Sequence, residues 1–99
     1  MFNSLFRSSP RADRAHRPAD VTVYGTNWCA QTQRARRLLD RYGIPYTYRN
    51  IDEDPEAAQQ VRWWTGGYES HPTIQVGGDI LVEPTTAELQ WALSQNGLV

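Results

Sequence analysis

Cysteine and lysine are what this 99-residue sequence most lacks: Cys29 is its single thiol, and all ten basic residues are arginine. A lone cysteine excludes an internal disulfide framework and suits a reducing compartment such as the cytoplasm. With only Cys29, His16 and His71 as nitrogen or sulfur ligands, no ordinary metal site is expected. No apolar run approaches the roughly 18 residues that cross a bilayer, so no membrane partner is expected. The formal net charge of −1 offers no electrostatic case for nucleic acid. The absence of lysine reads as codon bias from a GC-rich genome.

What is present suffices for one small domain: 39% hydrophobic residues, with four Trp and five Tyr. Charge is divided unevenly. Residues 1–19 carry Arg7, Arg11, Arg14 and Arg17 against Asp13, whereas residues 20–99 carry six Arg against ten acids. The first segment lacks the continuous apolar stretch of a secretory signal, and Pro10 and Pro18 oppose a long helix. It reads as a disordered Arg-rich leader, and the domain is expected over 20–99.

Within the domain, "VTVY" (21–24) ending at Gly25 reads as a strand. Ala35, Leu38, Leu39 and Tyr42 then recur at helical spacing up to Gly43, a residue suited to the position just past a helix. "YTYRNI" (46–51) reads as a second strand. Asp54-Pro55 has the form of a helix start, a polar cap followed by proline, and Gly66-Gly67 the form of a stop. Along that helix Trp64 shares a face with Ala57 and Val61, leaving Trp63 either to cover a helix–helix edge or to lie exposed as a contact. "PTIQV" (72–76), the turn Gly77-Gly78-Asp79 and "ILV" (80–82) read as a hairpin. Thr85 with Glu88 forms a capping box before a last helix carrying Leu89, Ala92 and Leu93. The expected fold is α/β, ordered β-α-β-α-β-β-α, with a four-stranded mixed sheet and helices on both faces. The first two strands are expected to pair in parallel through a right-handed crossover.

Cys29 falls between the first strand and the first helix, flanked by polar Asn27 and Gln31. A side chain there meets the unpaired N–H groups of the first helical turn and the positive end of the helix dipole. Both favour thiolate, which is the nucleophilic form, so a lowered pKa is expected.

The run "VTVYGTNWCAQTQRARRLLDRYGIPYTYRNIDEDPEAAQQV", continuing through "TGGYESHPTIQVGGDILVEPTTAEL", resembles the glutaredoxin family of the thioredoxin-fold superfamily. The "EPTTAEL" segment is most similar to the mycoredoxin-like actinobacterial branch. The resemblance covers residues 21 to about 93. It implies a thioredoxin-like fold, with Cys29 as nucleophile and Pro72 in the cis form presenting the His71 backbone to Cys29. It also implies a thiol-substrate groove lined by Trp28, Gln31, Thr32, His71, Pro72, Thr85 and Thr86. No cofactor would be bound. Mycothiol or glutathione would be the co-substrate, S-thiolated proteins the clients, and the protein would act as a monomer.

Two residues depart from the family pattern. Thr32 stands where dithiol members have a second cysteine, and His71 where Val or Thr usually precedes the proline. Thr32 cannot resolve a mixed disulfide, so the cycle left open is a monothiol one in which a small thiol does that work. The expected activity is a monothiol thiol-disulfide oxidoreductase that reduces mixed disulfides between protein cysteines and the small thiol. The competing reading is a redox-inactive binding or adaptor module. Iron–sulfur carriage is disfavoured because Ala30-Gln31-Thr32 lacks the glycine of cluster-binding members. An arsenate-reductase-like reading lacks its arginine anion site.

Overall fold

The structure is a computed structural model and describes residues 20–99; the expected leader at 1–19 lies outside the described residues. Its elements are β1 (Val21–Gly25), α1 (Ala30–Arg41), β2 (Thr47–Asn50), α2 (Pro55–Thr65), β3 (Thr73–Val76), β4 (Asp79–Val82) and α3 (Thr86–Gln95). The order matches the sequence expectation, and the strands form one sheet in the order β2-β1-β3-β4. β2 lies parallel to β1, whereas β3 runs antiparallel to both β1 and β4.

Alternation along the strands divides the interior into two layers. Val21, Val23, Ile74 and Val76 point to one face, where Ala35, Leu38 and Leu39 of α1 meet Leu89, Ala92 and Leu93 of α3. Tyr24 points to the other face and packs with Ile51 and with Ala57, Ala58 and Val61 of α2. Trp64 closes that smaller core edge-on against Tyr24, with ring centroids 5.3 Å apart, as its helical face implies. Trp63, one residue earlier, is 82% exposed. Tyr42 departs from its helical pattern. It caps the end of α1, is largely exposed, and its hydroxyl oxygen accepts from Gln90 Nε2 at 2.8 Å. Three turns of α1 already cover the sheet, so the fourth apolar position falls past the core.

Local chemistry sets the element ends. Asp54 Oδ1 accepts from Ala57 N–H at 3.1 Å and starts α2, a cap worth about 1 kcal/mol. Gly66 ends it in the left-handed region at φ 80°, where a side chain would be strained. The Thr85–Glu88 capping box is complete in both directions.

Candidate active site

Cys29 is the N-cap residue of α1, in extended geometry, with its carbonyl accepting the first helical bond from Gln33 N–H at 3.1 Å. No acidic residue occupies the first turn, so no carboxylate competes for its free N–H groups. The sulfur is partly accessible. Its S–H makes a long contact of 3.9 Å to the carbonyl oxygen of His71, which precedes Pro72 across a cis peptide bond. Pro72 itself is buried. The cis form and the His71 backbone beside Cys29 agree with the sequence expectation.

The loop that carries Cys29 is held from three sides. Trp28 Nε1 donates to Asp52 Oδ2 at 2.9 Å, Tyr48 Oη donates to Asn27 Oδ1 at 2.7 Å, and Gln33 Nε2 donates to Asn27 O at 3.0 Å. Arg36 lies 3.8 Å over the Tyr48 ring and donates from Nε to Tyr46 Oη at 3.2 Å. The Trp28 indole is 70% exposed yet meets the His71 ring edge-on, with centroids 5.0 Å apart.

Three buried side-chain atoms among the described residues have no hydrogen-bond partner: Thr26 Oγ1, Thr32 Oγ1 and His71 Nδ1. All three belong to residues bordering Cys29. Unsatisfied buried polar atoms are rare in folded proteins, and each calls for an explanation. For Thr32 and His71, whose side chains favour the ionised sulfur, the explanation is an anion yet to be formed; for Thr26 Oγ1 the structure offers none. Burial of the sulfur pushes its pKa up, but the Thr32 hydroxyl, the Thr32 N–H, the His71 side chain and the Gln31 N–H favour the thiolate. Together they bring the thiol from 9.0 down to about 7. At pH 7 roughly half of the Cys29 thiols are then ionised, against roughly one in a hundred for a thiol at 9.0.

The Thr32 hydroxyl is thus a donor that the fold leaves unused until the thiolate appears. Replacing Thr32 with Val, of nearly the same shape, is expected to raise the Cys29 pKa. Alkylation by iodoacetamide at pH 7 is expected to slow by on the order of three- to tenfold. The unfolding midpoint is expected not to fall, because a buried unpaired hydroxyl is removed. An unshifted alkylation–pH curve would show that the hydroxyl does not reach the sulfur.

The structure therefore brings Cys29, Trp28, Thr32, His71 and Pro72 together, with Gln31 exposed one turn-position past the sulfur. Thr85 and Thr86 are exposed and join the same end of the sheet only through backbone, where Glu83 N–H donates to Pro72 O at 2.8 Å. The Thr85 hydroxyl oxygen and N–H are both engaged by Glu88. Sequence reasoning missed Asp52, Thr26 and Gly25. A Cβ on Gly25 would lie 2.5 Å from Thr32 Cγ2, so this glycine is the floor under Thr32. A glycine closing a strand can signal such a close approach; for Asp52 and Thr26 no local signal exists.

A polarised thiol at a helix N-terminus, beside a cis-proline on a four-stranded mixed sheet, defines a thioredoxin-fold redox protein. The sequence profile of the glutaredoxin family matches residues 21–81, and the chain belongs to the glutaredoxin family. It is 31% identical to mycoredoxin 1 of Corynebacterium glutamicum over 72 residues, covering 72% of this chain and 89% of that one. It is 30% identical to the glutaredoxin-like protein NrdH of Escherichia coli K12 over 60 residues, 61% of this chain and 70% of the relative. Among solved structures, a glutaredoxin from Archaeoglobus fulgidus superposes with a TM-score of 0.65 at 21% identity, covering 94% of this chain and 96% of that one. No helix among the described residues is long and apolar enough to cross a membrane.

Proposed function

We propose that this protein is a monothiol thiol-disulfide oxidoreductase that removes a small thiol from S-thiolated protein cysteines. The observation that carries the reading is the Cys29 sulfur, partly accessible at the N-cap of α1 with the carbonyl before the cis-proline 3.9 Å away, where the Thr32 and His71 side chains favour its ionised form. The Cys29 thiolate attacks the small-thiol sulfur of a protein mixed disulfide, the client cysteine leaves reduced, and Cys29 becomes S-thiolated. A second small thiol releases it as the symmetric small-molecule disulfide. Trp28, Gln31, Thr32, His71, Pro72, Thr85 and Thr86 form the proposed groove, with no bound cofactor. The cycle runs on a reduced thiol pool, so the proposed setting is the cytoplasm, with the protein acting as a monomer.

Mycothiol is the proposed co-substrate in preference to glutathione. Similarity to mycoredoxin 1 supports this choice.

The test is intact mass after incubation with a mycothiol-capped or glutathione-capped cysteine peptide, followed by the matching free thiol. One small-thiol adduct on Cys29, cleared by the free thiol, is expected, with faster formation for mycothiol. Cys29→Ser is expected to show none. An unmodified wild-type chain would sink the oxidoreductase reading and leave the adaptor.

A further inference from the structure

The arginines of the domain are unevenly placed. Residues 20–99 carry six Arg against ten acids, yet four of the six lie on α1, the helix that Cys29 caps. Arg36 is used within the fold, over the Tyr48 ring and against Tyr46 Oη. Arg34, Arg37 and Arg41 stand three and four residues apart, so they share one face of the helix, and all three are exposed. The ion pairs among the described residues are Arg49–Asp54 and Arg62–Glu69, and neither involves this stripe. Asp40 is the single acid on α1. On the other side of Cys29 the chain is acidic: Asp52, Glu53 and Asp54 follow β2, and Asp52 reaches the Cys29 loop through Trp28. The nucleophile thus stands between a basic helix face and an acidic turn.

We propose that Arg34, Arg37 and Arg41 form a docking stripe for client proteins whose S-thiolated cysteine is flanked by acidic residues. The proposal rests on the exchange reading of Cys29 and adds the class of client. At 1.5 Å of rise per residue, Arg34 lies about 8 Å and Arg41 about 18 Å along the helix axis from Cys29. That length exceeds a small thiol and matches about five residues of extended chain beside a cysteine engaged at the sulfur. Guanidinium is the cation that meets a carboxylate through two parallel hydrogen bonds, so the stripe suits Asp and Glu side chains. Arg34 is within about one Debye length of the sulfur at physiological salt, so the stripe also steers an acidic client before contact. A nucleic acid fits less well. Beyond the stripe the domain carries three Arg against ten acids, which repel a long polyanion more than a short acidic segment.

The test is single-turnover formation of the Cys29 adduct at pH 7, followed by intact mass, with two capped cysteine peptides of equal length. One carries Asp on both sides of the cysteine and the other carries Ser. The cap is mycothiol, and the pair is repeated with glutathione. At low salt the wild type is expected to react on the order of tenfold faster with the Asp peptide. That preference is expected to shrink to about twofold or less near about 1 M salt, where the Debye length is about 3 Å. The triple variant Arg34→Gln, Arg37→Gln, Arg41→Gln is expected to keep the wild-type rate with the Ser peptide, which also shows that it is folded, and to lose the preference for Asp. Equal wild-type rates with the two peptides, or a preference that the triple variant retains, would overturn the docking role while leaving the exchange reading standing. Inhibition of both peptides alike by a short DNA duplex, absent in the triple variant, would overturn it in favour of a nucleic-acid surface. A wild-type chain that forms no adduct with any of the peptides would remove the exchange reading and the client class together.

Discussion

Gly25→Ala is expected to cost about 2–3 kcal/mol of stability, with nearly all of the loss recovered when Thr32 is also shortened to Ala. Gly25 is buried at the end of β1, and its carbonyl accepts from Ile51 N–H at 2.9 Å, so the strand cannot easily retreat. A Cβ there would meet Thr32 Cγ2 at 2.5 Å and Oγ1 at 2.6 Å, while Thr32 Cβ is 3.1 Å away. Thr32 is fully buried, so its side chain has little room to withdraw. Removing its Cγ2 and Oγ1 leaves only the 3.1 Å approach, which a shift of a few tenths of an ångström relieves. Urea unfolding of the two single variants and the double variant measures this coupling, with an unchanged denaturant slope as the check on two-state behaviour. An equal cost of Gly25→Ala in both backgrounds would mean that the clash lies elsewhere. The pairing also links fold to chemistry, because the strand end that Gly25 keeps thin lets the first turn of α1 seat its hydroxyl under the sulfur.

That contact shows where the sequence is legible and where it is not. Each element was readable because its signals are local. Asp54-Pro55 and Thr85-x-x-Glu88 start helices through bonds three residues apart, and the alternation of Val21, Val23 and Tyr24 assigns each to a face. Strand ends were less sharp. "YTYRNI" (46–51) pairs only over 47–50, because Tyr46 packs against the larger core and Ile51 turns into the smaller one. The strand order and the placement of β3 beside β1 are tertiary outcomes without a short-range mark. In the site, Cys29 stood out as the single cysteine, placed just ahead of a helix, whereas the cis form of Pro72, one of six prolines, was implied only by the family resemblance. The burial of Thr32 carried no local mark. Its burial depends on Gly25, seven positions earlier. Asp52 reaches Trp28 across 24 residues with no local mark, whereas the approach of His71 to Cys29 across 42 residues was expected only through the family resemblance.

Restoring a second thiol is expected to change the chemistry more than any other single substitution outside Cys29. In Thr32→Cys the new sulfur takes the place of a hydroxyl and methyl that already border the Cys29 thiol, since the Thr32 side chain is among the groups favouring its ionised form. Cysteine has one heavy atom fewer than threonine and removes part of the contact with Gly25, so the fold is expected to accept it. The wild-type adduct waits for a diffusible thiol, a bimolecular event at millimolar concentrations. In the variant the resolving sulfur is three residues away on the same turn, and attack is intramolecular. Release is expected to accelerate on the order of 100-fold or more. The product changes too: oxidation with a small-molecule disulfide is expected to leave a chain lighter by two hydrogens, with an internal disulfide, in place of one heavier by a small thiol. Rapid quench followed by intact mass reads both the rate and the product. An adduct on Cys29 that persists as long in Thr32→Cys as in the wild type would mean that residue 32 does not face the sulfur. The Thr32 hydroxyl would then be excluded as a donor to the thiolate, and the lowered pKa of Cys29 would have to come from the backbone N–H groups and His71 alone.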